Sequence, residues 1–181
     1  NSFTFPEREG SATHFQGEGD FIPVRPAKHM WETNFVPDAT NLELREWAAR
    51  GANSAHIQLI LADSVLHAHI SEMKVGTYKK AHRHGPDVHV FCLSGEGYSL
   101  MWQDGEEPTR YDWKPGTLIV PPNNYFHQHF NGGATPARYL AFKHSSIRNK
   151  QGVPLSWISR RLGGNQIDYA DESQVVRQSF L

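Results

Sequence analysis

The sequence predicts an all-β domain of the jelly-roll or closed-barrel type. Three observations carry the prediction. From residue 56 to 144 short runs of β-branched and aromatic residues alternate with Gly and Pro at intervals of about 8 to 12 residues. Tight-turn strings such as Ser94-Gly95-Glu96-Gly97 and Gln103-Asp104-Gly105 separate the runs. Eight strands this short need closure, or a second packed sheet, to avoid exposed edges.

The predicted strands are 56 to 61, 65 to 72, 88 to 94, 98 to 103, 109 to 113, 117 to 120, 126 to 130 and 137 to 143. One short helix is expected before the barrel. Thr40 followed by Glu43 is a capping-box pattern, Leu44, Trp47 and Ala48 share a helical face, and Gly51 sits where a left-handed C-terminal cap belongs. Residues 1 to 37 carry Phe3, Phe5, Phe15, Phe21, Trp31 and Phe35 at no regular period. They read as an extended N-terminal arm whose aromatics anchor it to a surface or to a partner subunit, which makes a homodimer the expected assembly. Residues 171 to 181 read as a C-terminal helix begun by Asp171 or Ser173. The chain thus divides into an arm and helix (1–55), a barrel (56–144) and a C-terminal extension (145–181).

Composition narrows the function classes. Among 181 residues, 18 Lys and Arg against 19 Asp and Glu give a formal charge of −1, so the sequence has no electrostatic footprint for nucleic acid or an anionic membrane. No stretch approaches the roughly 20 apolar residues of a membrane-spanning helix. A single cysteine, Cys92, excludes an internal disulfide framework and a thiolate zinc cluster, and fits a reducing, cytoplasmic setting. Its parity with Val88 and Val90 marks it as a packed small hydrophobe. Glu106 and Glu107 read as a solvated turn. What remains distinctive is eleven histidines.

Three HxH pairs occur: His67/His69, His82/His84 and His127/His129. Residues two apart in a strand point to the same side, so each pair can present two imidazoles on one face. Spacing alone leaves the three pairs equivalent. The surroundings separate them. Gly76 precedes His82-Arg83-His84 by five residues, and Gly95 follows; Gly116 precedes Pro122 by five residues, with Asn124, His127 and Asn131 after it. These strings resemble the two motifs of the cupin superfamily, whose fold is a double-stranded β-helix holding one metal inside the barrel. The resemblance covers about residues 76 to 131, and the flanking strands extend it to 56 to 144. It implies His82, His84 and His127 as metal ligands.

Two departures from the family pattern matter. Asn124 stands where the second motif has Gly, a substitution the turn tolerates because Asn accepts positive φ more readily than other non-Gly residues. Val88 stands where cupins usually carry a carboxylate ligand. His89, next to it, is a candidate fourth ligand or a group behind the ligands, although an adjacent strand residue faces the opposite side unless the strand is irregular. Within the superfamily, HRHGPDVHVFCLSGEGY and PPNNYFHQHFN are most similar to gentisate 1,2-dioxygenases and related salicylate-type ring-cleaving enzymes, which bind Fe(II) through three histidines. Members of that family usually carry two cupin domains, and this chain has room for one.

The chemistry of such a site is consistent with its composition. Three neutral imidazoles suit Fe, Ni, Cu or Zn and leave the metal's charge uncompensated. About three coordination positions stay open, enough for a bidentate substrate and dioxygen. With this chemistry, the resemblance implies a mononuclear non-haem Fe(II) dioxygenase that cleaves a hydroxybenzoate-like or other chelating organic acid. The expected partners are a small-molecule substrate and dioxygen. Two alternatives stand beside it: a lyase, isomerase or hydrolase using Zn, Mn or Ni as a Lewis acid, and a non-catalytic small-molecule-binding cupin.

Further site candidates follow from position. His129 faces with His127 and is assigned, with Gln128, to the catalytic group. Tyr78, Trp102, Arg138 and Phe142 are substrate-pocket candidates because strands near the motifs carry them. Arg83 points away from its histidine neighbours and is expected in a salt bridge, with Asp87 or a partner chain. His67 and His69 read as the polar outer face of an alternating strand.

Overall fold

Glycine at the turns and strict side-chain alternation between them organise this chain into two sheets. The computed structural model describes residues 20–24, 28–33, 35–51, 54–61, 66–85, 88–144 and 153–180. Its strands are β1 (Asp20–Val24), β2 (Lys28–Thr33), β3 (Arg45–Glu46), β4 (Ala55–Leu61), β5 (Leu66–Met73), β6 (Val88–Ser94), β7 (Gly97–Trp102), β8 (Thr109–Trp113), β9 (Leu118–Ile119), β10 (Phe126–Asn131) and β11 (Ala137–His144). The larger sheet runs β1-β2-β4-β5-β11-β6-β9, with β3 on β4, and the smaller runs β10-β7-β8. All eight predicted strands are present, two of them with the predicted bounds. The architecture is a cupin-type β-barrel.

Two cross-connections bind the motif segment after β5 into this frame. On one side, residues 77 to 84 run antiparallel to β10: His82 N–H donates to His127 O at 3.1 Å and His127 N–H returns to His82 O at 2.9 Å. On the other side, Arg83 N–H donates to Asn165 O and Ile167 N–H to Ala81 O. The C-terminal extension thereby straps the segment that carries His82.

Residues 20–24 and 28–33, read from sequence as part of an extended arm that wraps a surface or a partner subunit, form a β1–β2 hairpin, and β2 pairs in parallel with β4 of the same chain. Residues 1–19 lie outside the described residues. The helix expected over 40 to 51 is replaced by extended chain and one 3-10 turn, Ala48–Arg50. The physical reason is what the apolar residues must cover. Leu42 and Leu44, two apart, pack together with Trp31 on Ile57, Leu59, Ala68 and Ile70, a job that extended chain does and a helix does not. Asp38 turns the chain by accepting from the Thr40 and Asn41 amides, and Gly51 has a positive φ of 86° but an extended ψ of 168°, not the left-handed cap expected of it. The C-terminal helix shortens to α1 (Gln174–Gln178), capped by Ser173, and it seats Val176 on Tyr98, Leu100 and Phe130.

The covering of β4 and β5 inverts their pattern. Ile57, Leu59, Ala68 and Ile70 face this N-terminal cover, so the alternate residues His56, Gln58, His67, His69 and Ser71 face the barrel interior, and all are buried. The outer-face reading of His67 and His69 is therefore corrected. Apolar alternation marks the face that is buried against hydrophobic groups, and here both faces are buried.

Phe126 and Phe130, fully buried, contribute about 1.5 to 3 kcal/mol each by burial alone. Asn124 is the non-glycine residue with positive φ, 60°, among the described residues. Replacing it with Ala is expected to cost about 1 kcal/mol, and with Gly a few tenths at most. Urea unfolding midpoints of the two variants check this; equal losses would show that the left-handed turn is not what selects Asn.

Candidate metal centre

His82, His84 and His127 converge. Each offers one ring nitrogen, and the three lie within 4.8 Å of one another. Their ring centres are 4.3 Å (His82–His127), 4.7 Å (His84–His127) and 5.5 Å (His82–His84) apart. The reciprocal backbone pair described above sets the first of these distances, because directly opposed residues of an antiparallel pair bring their side chains together.

Each ring is oriented through its other nitrogen. His82 Nδ1 lies 3.3 Å from Lys80 O, His84 Nδ1 2.8 Å from Gly85 O and His127 Nδ1 3.2 Å from Tyr125 O. A carbonyl only accepts, so Nδ1 carries the proton in all three, and the Nε2 lone pair is left for a ligand. His84 Nε2 is buried without a partner. Burial holds all three rings neutral: His84 falls to about 2, His127 to about 3 and His82 well below the usual range. Neutral, oriented and one of them orphaned, the three imidazoles fit a divalent metal. Val88 stands where an acid would add charge; it is buried and lines the same cavity.

That cavity has a volume of about 400 Å³. Its wall extends well beyond the triad: His56, Gln58, His67, His69 and Ser71 from β4 and β5, His129 from β10, Tyr139 from β11, and Arg50, Lys79, Trp47 and Trp157 around them. The sequence reading missed most of these, although the H-x-Q and H-x-H-x-S alternation in β4 and β5 was a visible signal. Polar groups in the wall are tied to one another. His56 Nδ1 bonds Ser71 Oγ at 2.8 Å, and Gln58 Nε2 bonds His56 Nε2 at 2.5 Å.

His129 lies where the sequence places it, facing the cavity with His127, ring centres 5.8 Å apart. Its Nδ1 hydrogen-bonds Ser99 Oγ at 2.7 Å, and Ser99 accepts from the Trp113 indole at 3.0 Å, which fixes the ring. Gln128 is corrected: it alternates away from the cavity, donating to Lys79 O and to Glu172 Oε1. His89 is exposed on the outer face of β6, opposite Phe142 of β11, so it is no fourth ligand.

The four substrate candidates are likewise outside the cavity. Tyr78 stacks on Phe130 and donates to Glu172. Trp102 stacks on Phe126. Arg138 is bound by Glu72 and by the carbonyls of Ala39 and Leu42. Phe142 is exposed. Proximity to the motif in sequence put them on the right strands and the wrong face. Arg83 does form a salt bridge, with Asp104 at 2.7 Å, while Asp87 lies outside the described residues. Cys92 is buried among Val88, Val90 and Tyr139, its thiol pushed up to about 11 by burial.

Comparison with known proteins bears on the fold. The family model described as "Cupin domain" matches residues 69–143. The capsular polysaccharide assembling protein CapF of Staphylococcus aureus superposes with a TM-score of 0.50 at 16% identity, over 64% of this chain and 35% of its own. An oxalate decarboxylase of Lactobacillus farciminis gives 0.50 at 17% identity, over 59% of this chain and 32% of its own. The chain thus spans about a third of each of these two proteins. No curated protein matches the sequence. The two structural likenesses show the fold, and the domain match over residues 69–143 supports the cupin superfamily. Among the described residues, no helix is long and apolar enough to cross a membrane.

The buried neutral histidines predict an acid-sensitive fold. Unfolded, each imidazole takes a proton near pH 6.5; folded, His82, His84, His127 and His129 resist it, so the unfolded chain binds more protons below that pH. Melting temperature is expected to be level above pH 7 and to fall steadily from pH 6.5 downward toward about 3. A flat profile from pH 7 to 5 would contradict the neutral, buried assignment.

Proposed function

We propose that this protein is a mononuclear metal enzyme that acts on a small chelating organic acid, and that its reaction is an Fe(II)-dependent dioxygenation. The observation that carries the reading is the all-imidazole donor set with an aliphatic residue, Val88, at the carboxylate position. A bound Fe(II) would supply open coordination positions for two substrate oxygens and for dioxygen, and electrons for oxygen activation.

The chain's own residues do the rest. His82, His84 and His127 would hold the metal through Nε2, with the carbonyls of Lys80, Gly85 and Tyr125 steadying the rings. His129, fixed by Ser99, keeps its Nε2 edge beside the site as a hydrogen-bonding group for substrate. Trp47 and Trp157, whose rings meet edge to face at 5.5 Å, give the cavity an apolar wall that excludes water around a planar or compact acid. Basic side chains and no carboxylate line the cavity among the described residues, which favours an anionic substrate.

The test is metal content followed by oxygen uptake. Protein loaded with Fe(II) under nitrogen is expected to bind one metal per chain. His127→Ala is expected to lose it, and with it activity by about a hundredfold or more. Oxygen consumption with a panel of salicylates, gentisates and catechols should track product formation. Turnover that persists without oxygen would replace dioxygenation with Lewis-acid chemistry at the same three histidines.

A further inference from the structure

The cavity holds more positive charge than the metal reading uses. Arg50 and Lys79 are 5% and 2% exposed, and both line it. Arg50 donates through Nη1 to two neutral acceptors, Ser156 O at 2.9 Å and Gln166 Oε1 at 3.3 Å. Lys79 Nζ donates to Tyr139 OH at 3.1 Å and lies 4.8 Å from the centre of that ring. Neither cation has a carboxylate partner among the described residues. Burial lowers the hold of both on their protons, and the charge of Arg50 lowers that of Lys79 further.

Burying two such groups without a counter-ion is costly, and a metal dication in the same cavity raises the cost. Two further atoms of the wall are unsatisfied: His69 Nδ1 and Gln58 Oε1 are buried, in residues that line the cavity, and have no hydrogen-bond partner. Tyr139 joins the two regions, its ring centre 5.1 Å from that of His129 and 6.0 Å from that of His69.

We propose that Arg50, Lys79 and His69 form a second, anion-binding subsite in the cavity, so that the substrate is a dianion: one end chelates the metal and a separate carboxylate is held by this basic wall. The proposal rests on the metal reading for the first end only. The second carboxylate compensates Arg50 and Lys79, accepts a hydrogen bond from His69 Nδ1–H, and leaves Gln58 Oε1 to accept from a substrate hydroxyl. The residues are positioning and specificity groups.

Calorimetric titration of the full chain, metal-free and metal-loaded, with length-matched pairs (propionate against malonate, butyrate against succinate) tests it. In the metal-loaded protein, where both ends are held, the dicarboxylate is expected to bind about tenfold tighter or more; metal-free, mono- and dicarboxylate are both expected to bind through the basic wall alone. Lys79→Met and Arg50→Met are each expected to bring the dicarboxylate down to the monocarboxylate in the metal-loaded protein and to abolish carboxylate binding in the metal-free protein, with metal stoichiometry unchanged. Equal affinities for mono- and dicarboxylates in the unaltered, metal-loaded protein overturn the subsite. So does a folded Lys79→Met protein that keeps the preference. If Arg50→Met does not fold, the unaltered protein and Lys79→Met still decide. Failure to take up metal, with carboxylate binding that depends on Lys79 intact in the metal-free protein, sinks the metal reading and leaves the subsite standing.

Discussion

The reciprocal backbone hydrogen bonds between His82 and His127 are the constraint on which the rest of the structure depends. They bring two residues 45 apart in sequence into direct opposition, and they succeed only if the segment around His82 is held from its far edge as well. Residues 165–167 do this, and Arg50 N–terminal to the barrel ties in from the third side through its carbonyl to the Lys80 amide. With the backbone pinned, the imidazoles have little rotational choice. Each Nδ1 finds a carbonyl within one or two residues, so ligand orientation is encoded locally once the strand pairing is made.

The same arrangement explains why the interior can be so polar. A barrel wall of histidine, glutamine and serine has to repay the loss of water with hydrogen bonds inside the wall, and His56–Ser71, Gln58–His56 and His129–Ser99 do so. Cohesion is moved outward. Trp31, Leu42 and Leu44 pack on one sheet, and Val176 and Phe180 on the other, so the apolar layers sit between the barrel and its extensions rather than in its lumen. An apolar cluster of Met73 from β5, Val88, Val90 and Cys92 from β6, Trp113, and Ala137, Tyr139 and Ala141 from β11 closes one part of the barrel.

Most of the barrel was readable from the chain because turn residues and alternation are local signals. Strand bounds at Val88–Ser94 and Thr109–Trp113 match the expected ones, and Asn124 adopts the positive φ that its place in the motif demands. The triad was readable because the Gly, Pro and Asn around two of the HxH pairs resemble the motifs of a known family, which spacing alone does not single out. Two kinds of information were missing. Alternation says which residues share a face but not which face is inside, so His67 and His69 were placed outward, and the wall of β4 and β5 went unseen. Gln128 shows the opposite lapse: its neighbours His127 and His129 point inward, so period two alone sends it away from the cavity. The supposed helix at Thr40 failed because capping signals describe an isolated segment, while Leu42 and Leu44 answer to the sheet they cover.

The inverted wall has a consequence for how the chain can be cut. Ile57, Leu59, Ala68 and Ile70 form a greasy exterior on the larger sheet, shielded by residues drawn from 31 to 44. A fragment trimmed to the barrel alone would bare that patch to solvent while keeping its hydrophilic lumen intact. Such a piece resembles a sleeve turned inside out, prone to stick to its own copies, and the preceding segment is best regarded as part of the folding unit.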